Sequence, residues 1–78
     1  MILVTLQLRG PLKKYGPEAK MFDYEIAAES CTVRELLEQL KVPTSSISFI
    51  MIDGKKADLD ATVIGGEMVI VNPRVSGG

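Results

Sequence analysis

Only one stretch of this chain carries a helical repeat, and that constrains the fold more than any other feature. Thr32 stands three residues before Glu35, the spacing at which a hydroxyl and a carboxylate satisfy backbone donors at a helix start. Val33, Leu36, Leu37 and Leu40 then fall at i, i+3, i+4 and i+7 and form one apolar stripe. Pro43 is expected to end the helix, because the residue before a proline is pushed out of the helical region. A single helix covers one face of one sheet. The remaining chain must supply that sheet and leave its second face to something else.

Residues 2–9 alternate, with Ile2, Val4, Leu6 and Leu8 on one side and Leu3, Thr5, Gln7 and Arg9 on the other. Period two with β-branched residues predicts a strand with one face in the core. Gly10-Pro11 stops it, and residues 10–20 read as a loop rich in Gly, Pro and Lys. Phe22, Tyr24 and Ile26 alternate with Asp23 and Glu25, which predicts a second strand hairpinned to the first. Ile47 to Ile52 form a third strand, and Asp53-Gly54 signals a tight turn into a short partner at 55–57. Residues 58–64 are expected to be an irregular connection with a short helical turn. Gly65-Gly66 allows a sharp turn into a last strand, Glu67 to Val71, and Pro73 stops regular pairing near there. Met68-Val69-Ile70-Val71 does not alternate, the pattern of a strand covered on both faces. It is therefore expected at the centre of the sheet, parallel to the first strand.

The expected class is α+β: a mixed sheet of four to five strands with one main helix packed on one face, in the β-grasp (ubiquitin-like) arrangement. Seventy-eight residues make one domain, read as 1–72 with a C-terminal tail at 73–78. Nine Lys/Arg balance ten Asp/Glu, which lacks the dense cationic face that nucleic acid demands. The chain has no histidine, so imidazole catalysis and ligation are excluded, and its one cysteine makes neither a disulfide framework nor a paired-thiolate metal site. No apolar run is long enough to span a bilayer, and the first residues lack the marks of a signal peptide. The expectation is a cytoplasmic protein that is no enzyme on its own.

The run Pro73-Arg74-Val75-Ser76-Gly77-Gly78 is the most informative segment. Six extended residues reach about 20 Å, and two residues without Cβ can thread a narrow channel in a partner. With a β-grasp order, the closing run Gly65-Gly66-Glu67-Met68-Val69-Ile70-Val71-Asn72-Pro73-Arg74-Val75-Ser76-Gly77-Gly78 resembles the MoaD/ThiS family of ubiquitin-like sulfur carriers. The similarity covers essentially the whole chain. Residues 8–16 look like the first-loop segment of MoaD-type members, residues 32–40 like the family's helix, and Asp53-Gly54-Lys55 like its hairpin turn. Asn72-Pro73-Arg74 stands where MoaD-type members usually have two consecutive prolines.

The resemblance implies that the Gly78 carboxylate is the reacting group, adenylated by a partner of MoeB/ThiF type that uses ATP and then converted to a thiocarboxylate. It implies sulfur delivery to an acceptor enzyme such as the large subunit of molybdopterin synthase, with molybdenum or tungsten cofactor biosynthesis the leading expectation and the thiazole of thiamin or tRNA thiolation left open. No cofactor or metal is expected on the chain itself. Gly77, Ser76, Val75 and Arg74 would lie in the partner's channel. Two other readings stay open: a protein modifier joined to targets through Gly78, and a β-grasp binding module with no terminal chemistry.

Phe49, Met51, Met68 and Ile70 are expected on the sheet face away from the helix, as an apolar docking surface. The competing reading is that loop 10–20 or 58–64 covers them. Arg74 reads either as a contact to an acidic patch or phosphate in a partner, or as a solvated tail residue. Cys31 precedes the helix cap, where the helix dipole would lower its pKa, but reads more simply as a small turn residue. Glu67 reads as a surface residue at a strand start rather than a base.

Overall fold

The computed structural model describes residues 1–17 and 21–74. The expected alternations become β1 (Ile2–Leu8) and β2 (Phe22–Ile26), paired antiparallel with Val4 opposite Tyr24. After them come β3 (Cys31–Thr32), α1 (Val33–Gln39), β4 (Ile47–Ile52), β5 (Lys55–Ala57), β6 (Thr62–Val63) and β7 (Met68–Pro73). The main sheet runs β2-β1-β7-β4-β5, and β7 lies at its centre, parallel to β1 and antiparallel to β4. This is the expected mixed five-stranded sheet with one main helix, the β-grasp fold.

The core lies between α1 and the inner face of the sheet. Val4, Leu6 and Leu8 from β1, Ile26 from β2, Ile47 and Ile50 from β4, and Val69 and Val71 from β7 meet Val33, Leu36 and Leu37 of the helix. Leu40, the last member of the stripe, is half-buried. The cap forms as the spacing requires: Glu35 N–H donates to Thr32 Oγ1 at 3.1 Å and Thr32 N–H donates to Glu35 Oε1 at 2.9 Å. Donation from the Thr32 N–H, and then from the Thr32 hydroxyl at 3.1 Å, holds the Glu35 carboxyl below the usual carboxylate range. A depressed carboxyl contributes stability above its unfolded pKa, so this contribution fades as pH falls into the acid range.

Four local features depart from the sequence reading. The helix ends before Pro43 exerts any influence, because Lys41 adopts a left-handed backbone with φ of 62°. Val42 N–H then donates to Leu37 O at 2.9 Å and Lys41 N–H to Glu38 O at 3.0 Å, a Schellman closure built without glycine. The loop after β1 contains a 3₁₀ turn, Gly10–Tyr15, that buries Leu12. The 58–64 connection makes one short turn, with Ala61 N–H donating to Asp58 O at 3.2 Å, and then carries the unexpected β6, which pairs with β3 through Cys31–Val63 and Thr32–Thr62. The same segment completes the helix start, since Val33 N–H donates to Ala61 O and Arg34 N–H to Leu59 O, both at 2.9 Å. Finally, the last strand runs from Met68 to Pro73 rather than from Glu67 to Val71.

Two substitutions test this packing. Leu36 is fully buried, so Leu36→Ala is expected to cost about 2–5 kcal/mol in a urea titration. Lys41→Gly is expected to do the reverse and add about 1 kcal/mol, because a left-handed backbone penalises any side chain with a Cβ.

Candidate functional site

β7 is covered on its inner face by α1, so its outward side chains decide what the second sheet face offers. Met51 of β4 lies opposite Ile70 of β7, and Ile70 lies beside Gln7 of β1. Met68 lies beside Thr5, and Thr5 lies opposite Asp23 of β2. A register shift between Ile47 and Phe49 inserts one extra residue, so Ile47 and Ile50 both face the core while Phe49 faces out. The four residues expected on this face are there. Phe49 and Met68 are each 37% exposed, and Met51 and Ile70 are half-buried between their neighbours.

Leu3, 51% exposed and opposite Glu25, belongs to the same face and was not singled out from the sequence. Its signal was available, as the one apolar residue in the outward set of the first alternation. Together these side chains make an apolar stripe running diagonally across β1, β7 and β4. Charge surrounds it unevenly. The Lys56 ammonium sits 5.7 Å from the centre of the Phe49 ring, while Asp23 accepts a 3.0 Å hydrogen bond from the Thr5 hydroxyl.

The exit of β7 is held more firmly than a tail beginning at residue 73 implies. Pro73 pairs with Ile47, and Arg74 N–H donates to Ser46 O at 2.8 Å. Gly10, with φ of +57°, lets the 3₁₀ turn lie against Pro73; a Cβ there would come within 3.0 Å of Pro73 Cγ. The Arg74 side chain is exposed. Val75, Ser76, Gly77 and Gly78, the remaining predicted site residues, lie outside the described residues.

Two candidate reactive groups take structural roles. Cys31 is buried, and burial first, then the nearby Glu35 and Glu67 carboxylates, push its thiol up rather than down. That is the opposite of an activated nucleophile. Glu67 accepts hydrogen bonds from Ile64 N–H at 2.8 Å and Gly65 N–H at 2.7 Å, so it pins the Gly65-Gly66 turn that aims β7 into the sheet. Among the described residues no group of His, Cys, Asp and Glu is placed to hold a metal ion, and no helix is long and apolar enough to cross a membrane.

Residues 1–77 match the family model for the Mut7-C ubiquitin domain. The chain belongs to that family. Among solved structures it is similar to a protein described as molybdopterin converting factor subunit 1 from Pyrococcus furiosus, with a TM-score of 0.70 at 17% identity, covering 96% of this chain and 100% of that one. It is similar to the thiamine biosynthesis protein ThiS from Geobacter metallireducens, with a TM-score of 0.59 at 28% identity over 95% of this chain and 99% of that one. A complex of subunits 1 and 2 of molybdopterin-converting factor from Helicobacter pylori contains another similar chain, with a TM-score of 0.60 at 20% identity over 99% of this chain and 100% of that one. No match was found among curated proteins. The fold of this Mut7-C ubiquitin domain is thus the one found in MoaD- and ThiS-type proteins, as the sequence resemblance implied.

The outer face and the core respond differently to charge. Met68→Asp is expected to leave the protein folded, with a stability change on the order of 1 kcal/mol. Val69→Asp, one residue on and fully buried, is expected to abolish cooperative unfolding, because an unpaired charge cannot be accommodated in the core. Circular dichroism with urea titration of both variants checks the assignment of faces.

Proposed function

We propose that this Mut7-C ubiquitin domain is a sulfur carrier whose reacting group is the Gly78 carboxylate and which contributes no catalytic side chain. The observation that carries the reading is the position of Arg74, which leaves the end of the central strand and precedes Val75-Ser76-Gly77-Gly78 in the sequence. The open face of that sheet bears the Leu3, Phe49, Met51, Met68 and Ile70 stripe. A partner that covers this stripe takes hold of the domain by its rigid sheet and receives the chain leaving β7 at a fixed position. The similarity in fold to molybdopterin converting factor subunit 1 and ThiS supports the same reading.

The chemistry needs little from the chain. An activating enzyme of MoeB/ThiF type joins the Gly78 carboxylate to the α-phosphate of ATP, releasing pyrophosphate and leaving an acyl-adenylate. AMP is a far better leaving group than oxide, so a persulfide sulfur displaces it. Cleavage of the sulfur–sulfur bond by a thiol then leaves the thiocarboxylate. Glycine at 77 and 78 places no Cβ beside the reacting carbonyl, which leaves room for a narrow channel. The apolar stripe serves two successive partners, the activating enzyme and an acceptor enzyme, and the adaptable Met51 and Met68 side chains suit a surface used twice. The acceptor reading we favour is the large subunit of a molybdopterin-synthase-type complex, in the cytoplasm, with synthesis of a molybdenum or tungsten pterin as the outcome. The Helicobacter pylori complex of subunits 1 and 2 supports that choice of partner.

Mass spectrometry of the C-terminal peptide tests the proposal, after production with an ATP-dependent activating enzyme and a sulfur donor. Intact mass does not suffice, since exchanging oxygen for sulfur adds nearly what oxidation of any of the four Met residues or Cys31 adds. Cleavage after Arg74 isolates Val75-Ser76-Gly77-Gly78, which contains neither residue. A thiocarboxylate on that tetrapeptide, absent without ATP, is the expected result. An unmodified tetrapeptide beside a ladder of higher-mass conjugates would favour the protein modifier, and an unmodified tetrapeptide alone the binding module.

A further inference from the structure

Asn72 is a buried polar side chain that the fold does not explain. It is 7% exposed and lies on the outer sheet face, opposite Phe49. Its Oδ1 accepts a 3.3 Å hydrogen bond from Arg9 Nη1, whereas its Nδ2 is fully covered and has no partner among the described residues. The amide cannot turn round to relieve this, because a guanidinium offers only donors and must be met by the oxygen. A buried donor left unpaired destabilises a fold, and an apolar residue at position 72 would avoid the cost. The neighbouring Val69 and Val71 show that this strand otherwise selects apolar side chains.

An unpaired amide donor next to a guanidinium forms two-thirds of an anion site. The group that completes it is an acceptor without donors and with two oxygens, one for each neighbour, which describes a carboxylate. The surrounding charge agrees. Arg9, Asn72 and Phe49 form one row across β1, β7 and β4, with Lys56 over the Phe49 ring and the exposed Arg74 two residues beyond Asn72. Asp58 and Asp60 share a cavity with Phe49 and Lys56 at the β5 edge, where Asp60 pairs with Arg34, and Asp23 and Glu25 on the outer face stand opposite Thr5 and Leu3. At about 3.3 Å per residue along β1, Asp23 and Glu25 are some 13–20 Å from Arg9. Arg9 and Phe49 are exposed side chains that can turn aside as a ligand arrives.

We propose that Arg9 and Asn72 together receive one carboxylate, an Asp or Glu side chain of the protein that docks on the outer face. The pair sits beside the exit of β7, so its engagement fixes how the docked protein is turned relative to the chain beyond Arg74. Asn72 is thereby a residue kept for recognition against the interest of stability. The inference rests on reading the outer face as a docking surface, and not on any reaction at Gly78.

The test is a titration of the full-length ¹⁵N-labelled protein with a capped tetraglutamate peptide, followed by NMR. The Asn72 side-chain amide and the Arg9 Nε–H are expected to shift together and to saturate, and a capped tetraglutamine peptide is expected to move neither. Arg9→Gln loses the response. Asn72→Leu loses the Arg9 response as well, yet raises the urea midpoint. Asn72→Asp, which pairs with Arg9 internally, stays folded and loses the response. An Asn72 amide that stays still, an equal response to tetraglutamine, or a lowered midpoint in Asn72→Leu would overturn the proposal. A missing thiocarboxylate at Gly78 leaves all these readouts unchanged, so failure of the carrier reading is a separate result.

Discussion

The parallel ladder between β1 and β7 is the contact on which everything else in this domain depends. It joins Thr5–Leu8 near one end of the chain to Met68–Val71 near the other. Everything between them closes as one long loop, whose entropy must be offset by the packing the ladder makes possible. Once β7 lies between β1 and β4, Val69 and Val71 become the floor beneath α1. The hairpin strands β2 and β5 then fall at the two edges of the sheet. The ladder is aimed by polar detail: Glu67 closes the Gly65-Gly66 turn, and Asp53 accepts from Met68 N–H at 2.9 Å while donating its own N–H to Met68 O.

A sheet with one helix is covered on one side only, and the second side of a central strand is then available for recognition. β7 carries Met68 and Ile70 on that side and leads straight into Arg74, whose N–H is still tied to Ser46. The open face of the sheet and the exit toward the C-terminus thus belong to the same strand. Cys31 and Glu67 illustrate the converse: both are reactive in principle, and the fold spends both on structure.

Much of this architecture was legible in local sequence because local chemistry determines it. The Thr32/Glu35 capping box, the Asp53-Gly54 turn with φ of 51° and 83°, and the positive φ at Gly65 and Gly66 each need particular residue types at fixed offsets. The illegible features lack such signatures. Lys41 closes the helix in a conformation that glycine usually supplies, so nothing in its identity announces it. Leu12 is a lone apolar residue among Gly, Pro and Lys, and only the neighbouring sheet turns it into core. β3 and β6 are two residues each, too short to show a period, and they pair because the segment after β5 must supply acceptors to the helix start. The candidate site divides in the same way: the outward set Phe49, Met51, Met68 and Ile70 follows from having one helix and Leu3 from the first alternation, whereas Asn72 joins them only through strand register.

By itself, then, the sequence determined the helix, the longer strands, their order and the single covered face, because period, capping and turn residues act over a few positions. Tertiary structure decided which side chains share a row. The parallel register of β1 with β7 and the bulge at Ser48 bring Arg9, Asn72 and Phe49 side by side across residues far apart in the chain. They also leave the Asn72 Nδ2 without a partner among the described residues. Strand register is a property of the whole packed sheet, since a slip of one residue would exchange its buried and open faces.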